Sequence, residues 1–329
     1  MQYHTIGRTG ITISEIGFGA WVIGGGWGPL ADDEAIRSLK RAYDLGVTFF
    51  DTAAGYGSGH SEELIGQAFA GMRDRVVIAS KIPPTGDYSP TRNPNPPREV
   101  FPASHVIETT ERTLKNLGAD YLDVQQLHAW EPHFLKQTGW LEALTKLKEQ
   151  GKIRAFGVSA NDWDPYGPVD LVKSGHIDTV QVIYNIFEQR PEERLFPAAI
   201  EHGVGIFARV PFEEGLLTGS FPPGHRFAEG DWRGEWLTPE RLKVAQPKVE
   251  ALKAYLAPDR PTLAALALKF CLSHPAVTSV IPGMRRIANV EANVAVSDGV
   301  LLPEDVQRAL DSHAFVHGWD YPWHAVEQK

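Results

Sequence analysis

Val47-Thr48-Phe49-Phe50-Asp51-Thr52-Ala53-Ala54-Gly55-Tyr56-Gly57 is a short apolar run that ends on an acid and passes into a glycine-marked turn carrying a tyrosine. The same pattern returns twice. Val76-Val77-Ile78-Ala79-Ser80 ends on Lys81, and Tyr121-Leu122-Asp123-Val124-Gln125-Gln126-Leu127 ends on His128. Apolar runs closed by ionisable side chains fit parallel strands whose C-terminal ends share one rim. Asp51, Tyr56, Lys81 and His128 meeting on that rim would form a proton-donating site. A phenol with an ordinary pKa of about 10 needs a nearby cation to act as an acid near neutral pH. Lys81 is therefore expected to lower the Tyr56 pKa, and Asp51 to anchor Lys81.

Outward from these runs the alternation continues. Tyr3-His4-Thr5-Ile6 and Ile11-Thr12-Ile13-Ser14 flank Gly7-Arg8-Thr9-Gly10, whose glycines can supply positive φ, so residues 3 to 15 read as a β-hairpin. Ile16-Gly17-Phe18-Gly19-Ala20 reads as a short buried strand, followed by Trp21 and the loop Gly24-Gly25-Gly26-Trp27. That loop lacks both the Gly-Lys-Ser/Thr ending of a phosphate loop and the six-residue dinucleotide fingerprint, so it reads as a flexible loop with an aromatic tip. Asp32-Asp33-Glu34 opens a helix with Ala35, Ile36, Leu39, Ala42 and Leu45 at helical spacing, and Gly46 ends it. Ser61 is the expected cap of a second helix reaching Phe69.

Downstream, helices are expected near 104–117, 139–150, 169–173, 192–202, 261–274 and 287–296, with strands at 154–159, 179–183, 205–209 and 277–281. The count is eight strand-helix units, then an extra helix over 303–314 and a tail with Trp319, Tyr321 and Trp323. Proline-rich Ile82 to Pro102 and the Gly-, Pro- and aromatic-rich Val210 to Trp236 read as long loops, the first suited to a lid or an interface. Eight right-handed crossovers close into a (β/α)8 TIM barrel, here with an N-terminal β-hairpin and an extra C-terminal helix, and ligand chemistry is expected at the strand C-termini. An open doubly wound sheet is the alternative architecture.

Length and charge bound the function class. At 329 residues with 43% hydrophobic content the chain can bury a large core, and with no interior composition shift residues 1–329 read as one domain. A formal charge of −9 and a pI near 5.7, with no Lys/Arg-rich block, argue against a nucleic-acid or anionic-membrane surface. A small molecule is the expected partner. The single cysteine, Cys271, lies in the apolar run from Leu263 to Leu272, where a buried helix position is the expected reading. The start, Met1-Gln2-Tyr3-His4, has no basic-then-apolar signal, and no apolar stretch approaches a membrane span. A soluble cytoplasmic protein is expected, and a homo-oligomer is compatible with the sequence.

In their order these residues resemble the aldo-keto reductase family over nearly the whole chain. The marks are Gly7-Arg8-Thr9-Gly10, Asp51-Thr52-Ala53 leading to Tyr56-Gly57, Lys81, Gln126-Leu127-His128, Gly157-Val158-Ser159, Gly215-Leu216-Leu217-Thr218-Gly219 and Ile281-Pro282-Gly283. The resemblance implies a barrel that binds NADPH/NADP+ in an extended pose and reduces an aldehyde or ketone by hydride transfer. Tyr56 would give the proton to the carbonyl oxygen, Lys81 would tune it, Asp51 would hold Lys81, and His128 would orient the carbonyl. Singly, each of these residues reads as a cap, a packing residue or a core histidine; the joint pattern favours a common site. No His-x-His pair lies on an early strand, so no metal is expected.

The resemblance also carries over cofactor positions. Ser159 and Gln181 match residues that bond the nicotinamide carboxamide, while the Asn usually found next to the serine is Ala160 here, with Asn161 one place later. Arg209 stands where an aromatic ring often stacks on the nicotinamide; its guanidinium could stack, bind phosphate or form a structural ion pair. Gly283, Arg285 and Asn293 fall where the family holds the adenosine 2′-phosphate and adenine, with Arg285 the candidate for preferring NADPH. Trp21, Trp27, Trp130 and Trp232 are candidates to line the substrate pocket, where indole faces suit apolar aldehydes and sugars alike. Two other functions stay open: a cofactor-sensing binding module resembling the potassium-channel β subunits, and a sugar or alcohol dehydrogenase running oxidatively.

Overall fold

The computed structural model describes residues 1–25, 30–86, 88 and 99–319. Its first element is the hairpin of β1 (Tyr3–Thr5) and β2 (Thr12–Ser14), paired antiparallel with Thr5 opposite Thr12. Eight parallel strands follow: β3 (Phe18–Gly19), β4 (Phe49–Asp51), β5 (Val77–Ile82), β6 (Leu122–Leu127), β7 (Ile153–Ser159), β8 (Thr179–Ile183), β9 (Gly205–Arg209) and β10 (Val277–Val280). They lie in sequence order, each bonded to the next. The last meets the first through parallel bridges Ile16 to Val280 and Gly19 to Gly283, with Gly17 N donating to Val280 O at 2.8 Å and Gly19 N to Pro282 O at 3.0 Å. These contacts close the (β/α)8 barrel.

Side-chain alternation along the strands divides the core in two. Phe49, Ala79, Val124, Ala155, Phe207 and Ile281 point inward, and Ile6, Ile11 and Ile13 of the hairpin join them, so the hairpin plugs the N-terminal end of the barrel. The outward faces pack against the helices, for example Ala35, Leu39 and Ala42 of the helix Asp32–Asp44 and Val106, Leu114 and Leu117 of Ala103–Leu117. With its lower end plugged, the barrel opens at the strand C-termini.

Most expected elements are present with ends shifted by a few residues. Ser61 is not the cap of its helix, which spans His60–Ala68 and follows Gly59; its hydroxyl instead donates to Ala20 O at 3.1 Å and accepts from Thr52 Oγ1 at 2.9 Å. The stretch from Val210 to Trp236 is not all loop, since it contains a turn of tight helix at Glu213–Thr218 and a short helix at Arg233–Trp236. The helix Pro239–Ala251 is missing from the periodicity reading, because Pro247 in its interior weakens the helical signal and its apolar stripe is thin. Residues 87 and 89–98 of the proline-rich segment between Ile82 and Pro102, and the tail beyond Trp319, lie outside the described residues. No helix of the described residues is long and apolar enough to cross a membrane.

Gly157 shows how tightly the barrel wall is set. It sits in register between Gln126 and Thr179, and a Cβ there would lie 2.0 Å from Thr179 O and 2.2 Å from Thr179 Oγ1. Gly157→Ala is expected to lower stability by at least about 2 kcal/mol in urea unfolding. Gly55→Ala, at a residue with φ −80° and open space around it, is expected to change stability by less than about 0.5 kcal/mol in the same assay.

Candidate active site

Asp51 is the last residue of β4, and β5 carries Lys81 past it. The chain beyond Asp51 stays knitted to β5, with Thr52 N donating to Ala79 O at 2.8 Å and Ala54 N to Lys81 O at 3.1 Å. This pairing delivers the turn that bears Tyr56. Gly57 at φ 60° and Gly59 at φ 100° bend the chain sharply after the tyrosine, a conformation that favours glycine. Gly24 packs against this turn, where a Cβ would come within 3.0 Å of Tyr56. His128 follows β6, and its backbone N donates to Ile82 O at 2.9 Å.

The four side chains meet. Lys81 is wholly buried, and its Nζ donates to Asp51 Oδ1 at 2.6 Å, to Thr52 O at 2.8 Å and to Tyr56 OH at 3.4 Å, which uses all three ammonium protons. Asp51 Oδ2 accepts from Gln181 Nε2 at 2.8 Å. The rings of Tyr56 and His128 stand edge to face with centroids 5.8 Å apart. Asp51, Tyr56 and His128 line a cavity of about 480 Å³ at the C-terminal mouth of the barrel, together with Trp21, Tyr88, Ser159, Gln181 and Arg209 among others.

Burial decides the charge states. It pushes the Tyr56 phenol above its ordinary value; Lys81 pulls it down, as expected from the sequence, but does not overcome the loss of water. Tyr56 is therefore a neutral phenol over the ordinary pH range, ready to donate. Burial opposes the Lys81 ammonium, yet Asp51 and Tyr56 together hold its pKa above the usual lysine value. Burial also raises the Asp51 carboxyl, against Lys81 and Gln181, but both of its oxygens face donors and it acts only as an acceptor. Burial and the Lys81 and Arg209 cations push His128 down to about 3, so its imidazole is neutral.

The other candidates separate. Ser159 and Gln181 reach the cavity, and neither Ser159 Oγ nor Gln181 Oε1 has a hydrogen-bond partner among the described residues. Arg209 lines the cavity as well, with its guanidinium donating to Ala160 O at 2.9 Å and to Asp162 Oδ1 at 2.7 Å. Asn161 lines the cavity too, but its amide is engaged with the Trp130 backbone, Nδ2 donating to Trp130 O at 2.9 Å and Oδ1 accepting from Trp130 N at 3.3 Å. Gly283 lines the cavity, whereas Arg285 and Asn293 lie beyond its wall. Arg285 O accepts from Ser38 Oγ at 3.2 Å, and Asn293 Nδ2 is buried without a hydrogen-bond partner among the described residues.

Of the four tryptophans expected to line the pocket, Trp21 does so. Trp130 does not: it is 1% exposed and packs beneath the wall, edge on to Phe134 at 5.7 Å and to Trp140 at 5.3 Å. Trp232 stands outside the lining too, behind Trp21 with ring centroids 5.8 Å apart. Trp27 lies outside the described residues. Cys271 is buried, donates to Tyr184 O at 3.2 Å, and has its thiol pKa pushed up by burial.

Several lining residues escaped the sequence reading. Tyr88 donates to Glu131, and Trp163 and Phe212 add apolar wall. Glu214 lines the cavity in a left-handed conformation at φ 53°, directly after Glu213 at φ 46°. Consecutive non-glycine residues in that region are strained, and such strain collects at functional sites. Burial, with Glu213 and Asp162 nearby, pushes the Glu214 carboxyl up to about 8. The pair of acids before Gly215 was the only sequence signal available, and an acidic pair is ordinarily a solvated turn.

Known proteins share both fold and sequence. A sequence model described as Aldo/keto reductase family matches residues 15–314. The chain belongs to that family. "Aldo-keto reductase YhdN" of Bacillus subtilis is 32% identical to it, covering 93% of this chain and 91% of the relative. A "probable voltage-gated potassium channel subunit beta" of Arabidopsis thaliana is also 32% identical, over 92% and 93% of the two chains. The solved glycerol dehydrogenase AKR11B4 from Gluconobacter oxydans superposes with a TM-score of 0.79 at 25% identity, over 94% of each chain. Members of the aldo/keto reductase family are NAD(P)H-dependent oxidoreductases of carbonyls and alcohols, and this chain is such an enzyme. The cavity fits a nicotinamide, because the Ser159 hydroxyl and Gln181 carbonyl, without partners among the described residues, offer hydrogen bonds to a carboxamide.

His128 makes stability depend on pH. Its pKa is about 3 when folded against the ordinary 6.5, so the stabilisation is complete above pH 6.5 and is lost as pH falls towards 3. Between pH 7 and pH 5, His128→Gln is expected to lose about 1–2 kcal/mol less stability than the unmutated protein, read from urea unfolding at each pH.

Proposed function

We propose that this enzyme reduces a small aldehyde or ketone to the alcohol with NADPH, Tyr56 supplying the proton. The observation that carries the reading is the Lys81 ammonium bonded to Asp51 and Tyr56 at the wall of the cavity. Bound nicotinamide dinucleotide would supply the hydride to the carbonyl carbon. Tyr56 gives its proton to the developing alkoxide, and Lys81, 3.4 Å from the phenol oxygen, stabilises the phenolate left behind. His128, neutral to about pH 3, can donate an N–H to the carbonyl oxygen and fix its position. A phenol that stays protonated at neutral pH favours reduction; oxidation needs the phenolate and should gain as pH rises.

Ser159 and Gln181 would hold the carboxamide, and Arg209 would border the nicotinamide end from its pair with Asp162. Gly283, Arg285 and Asn293 would hold the adenosine end, the buried Nδ2 of Asn293, without a partner among the described residues, suiting a purine acceptor. Trp21, Tyr88, Trp163 and Phe212 make the wall largely apolar, which suits an apolar aldehyde or the carbon face of a sugar. The likeness to a channel β subunit favours a second reading, in which the barrel senses NADP(H) rather than turning over freely.

Tyr56→Phe is expected to lower carbonyl-dependent NADPH oxidation by about 10²–10⁴-fold while NADPH affinity changes by less than about threefold. Turnover of the unmutated protein no faster than cofactor exchange across a panel of sugar, aliphatic and aromatic aldehydes would favour the sensor. Arg285→Ala is expected to weaken NADPH by about tenfold or more and NADH little, checked by fluorescence titration with each; equal loss for both removes Arg285 from the 2′-phosphate.

A further inference from the structure

The Asp51 carboxylate joins two side chains with different tasks. One oxygen accepts from Lys81 Nζ at 2.6 Å and the other from Gln181 Nε2 at 2.8 Å, and Asp51 is 3% exposed. An amide side chain has a donor end and an acceptor end of nearly the same shape, so something must choose which one faces a ligand. A carboxylate can only accept, and it therefore draws the NH2 of Gln181 to itself. Gln181 Oε1 is left on the cavity side, without a hydrogen-bond partner among the described residues. Neither register neighbour of Gln181 makes this choice: it lies between Ser159, whose hydroxyl donates or accepts, and Phe207, which does neither.

We infer that Asp51 is a positioning residue for the cofactor as well as for Lys81: it turns Gln181 so that the cavity presents an acceptor, which takes the NH2 of the nicotinamide carboxamide. The inference rests on the NAD(P)H reading of the site. It leaves the Ser159 hydroxyl to donate to the carboxamide oxygen. One carboxylate then sets both the ammonium that serves the phenol and the amide that holds the nicotinamide, so proton donor and nicotinamide ring share a common reference point.

The test compares equilibrium binding of NADP+ with that of its acetylpyridine analogue, which keeps the carbonyl but has methyl in place of NH2. Binding is followed by tryptophan fluorescence quenching. The unmutated protein and Tyr56→Phe, whose Gln181–Asp51–Lys81 chain is intact, are expected to prefer NADP+ by about tenfold. Asp51→Asn, which offers Gln181 a donor and an acceptor equally, and Gln181→Leu are expected to prefer it by less than about twofold. A preference kept in Asp51→Asn, or absent from the unmutated protein, overturns this inference alone. If the unmutated protein binds neither dinucleotide, the cofactor reading falls with it.

Should Asp51→Asn fail to fold, the Gln181 side-chain NH2 signal of the isotopically labelled unmutated protein, identified by its loss in Gln181→Leu, decides the matter. NH2 protons that stay protected from solvent exchange after NADP+ is added support the inference. Loss of that protection on binding shows that the amide has turned, and overturns it.

Discussion

A lysine with no exposed surface, bonded to an aspartate at 2.6 Å, is the constraint on which the mouth of this barrel depends. Removing both charges from water costs several kcal/mol per ion, and the pair is tolerable only because nearly every remaining hydrogen bond is met. Lys81 spends its other protons on Thr52 O and Tyr56 OH, and Asp51 spends its second oxygen on Gln181. Each of those partners is a fixed point of the wall. The pair also requires β4 and β5 to hold their register, since a slip of one residue would turn Lys81 to the outer face.

The surroundings share this dependence. Behind β5, Ser80 Oγ and Thr113 Oγ1 donate to the buried Glu62 Oε1 at 2.6 and 2.9 Å, and Asn116 Nδ2 donates to Glu62 Oε2 at 2.8 Å. This second polar knot ties the helices His60–Ala68 and Ala103–Leu117 to the strand that carries the lysine. Across the mouth, the strained turn at Glu213 and Glu214 is held from below: Glu213 accepts from Asn185 at 2.6 Å and pairs with His317 at 2.9 Å. A rigid charged wall therefore faces a loop wall kept in place by its own buried pairs, and the ligand space lies between them.

Much of this was legible because barrel chemistry repeats a simple pattern, an apolar run followed by an ionisable residue. Asp51, Lys81 and His128 each close such a run, and Tyr56 follows within one turn. Positions away from strand ends were harder to read. Tryptophans suit a ligand wall and a core equally, and burial sent Trp130 into the core while Trp21 faces the cavity. Asn161 stands one place after the usual carboxamide position, and no local pattern says that its amide is taken up by the Trp130 backbone. Ser61 had the chemistry of a cap but lies within the helix, bonded to Ala20 and Thr52.

The sequence by itself determined the strand-helix alternation, the N-terminal hairpin and the four ionisable residues of the mouth, because these follow from local periodicity and from residue order along each strand. Only the tertiary structure decided the balance between charge and burial. Lys81 alone would make Tyr56 more acidic, yet the desolvation that comes with closing the barrel outweighs it and leaves a protonated phenol. The turn of Gln181 towards Asp51 is likewise a fact of assembly: the two residues are 130 positions apart in the chain, and no local pattern says which end of an amide will meet a carboxylate.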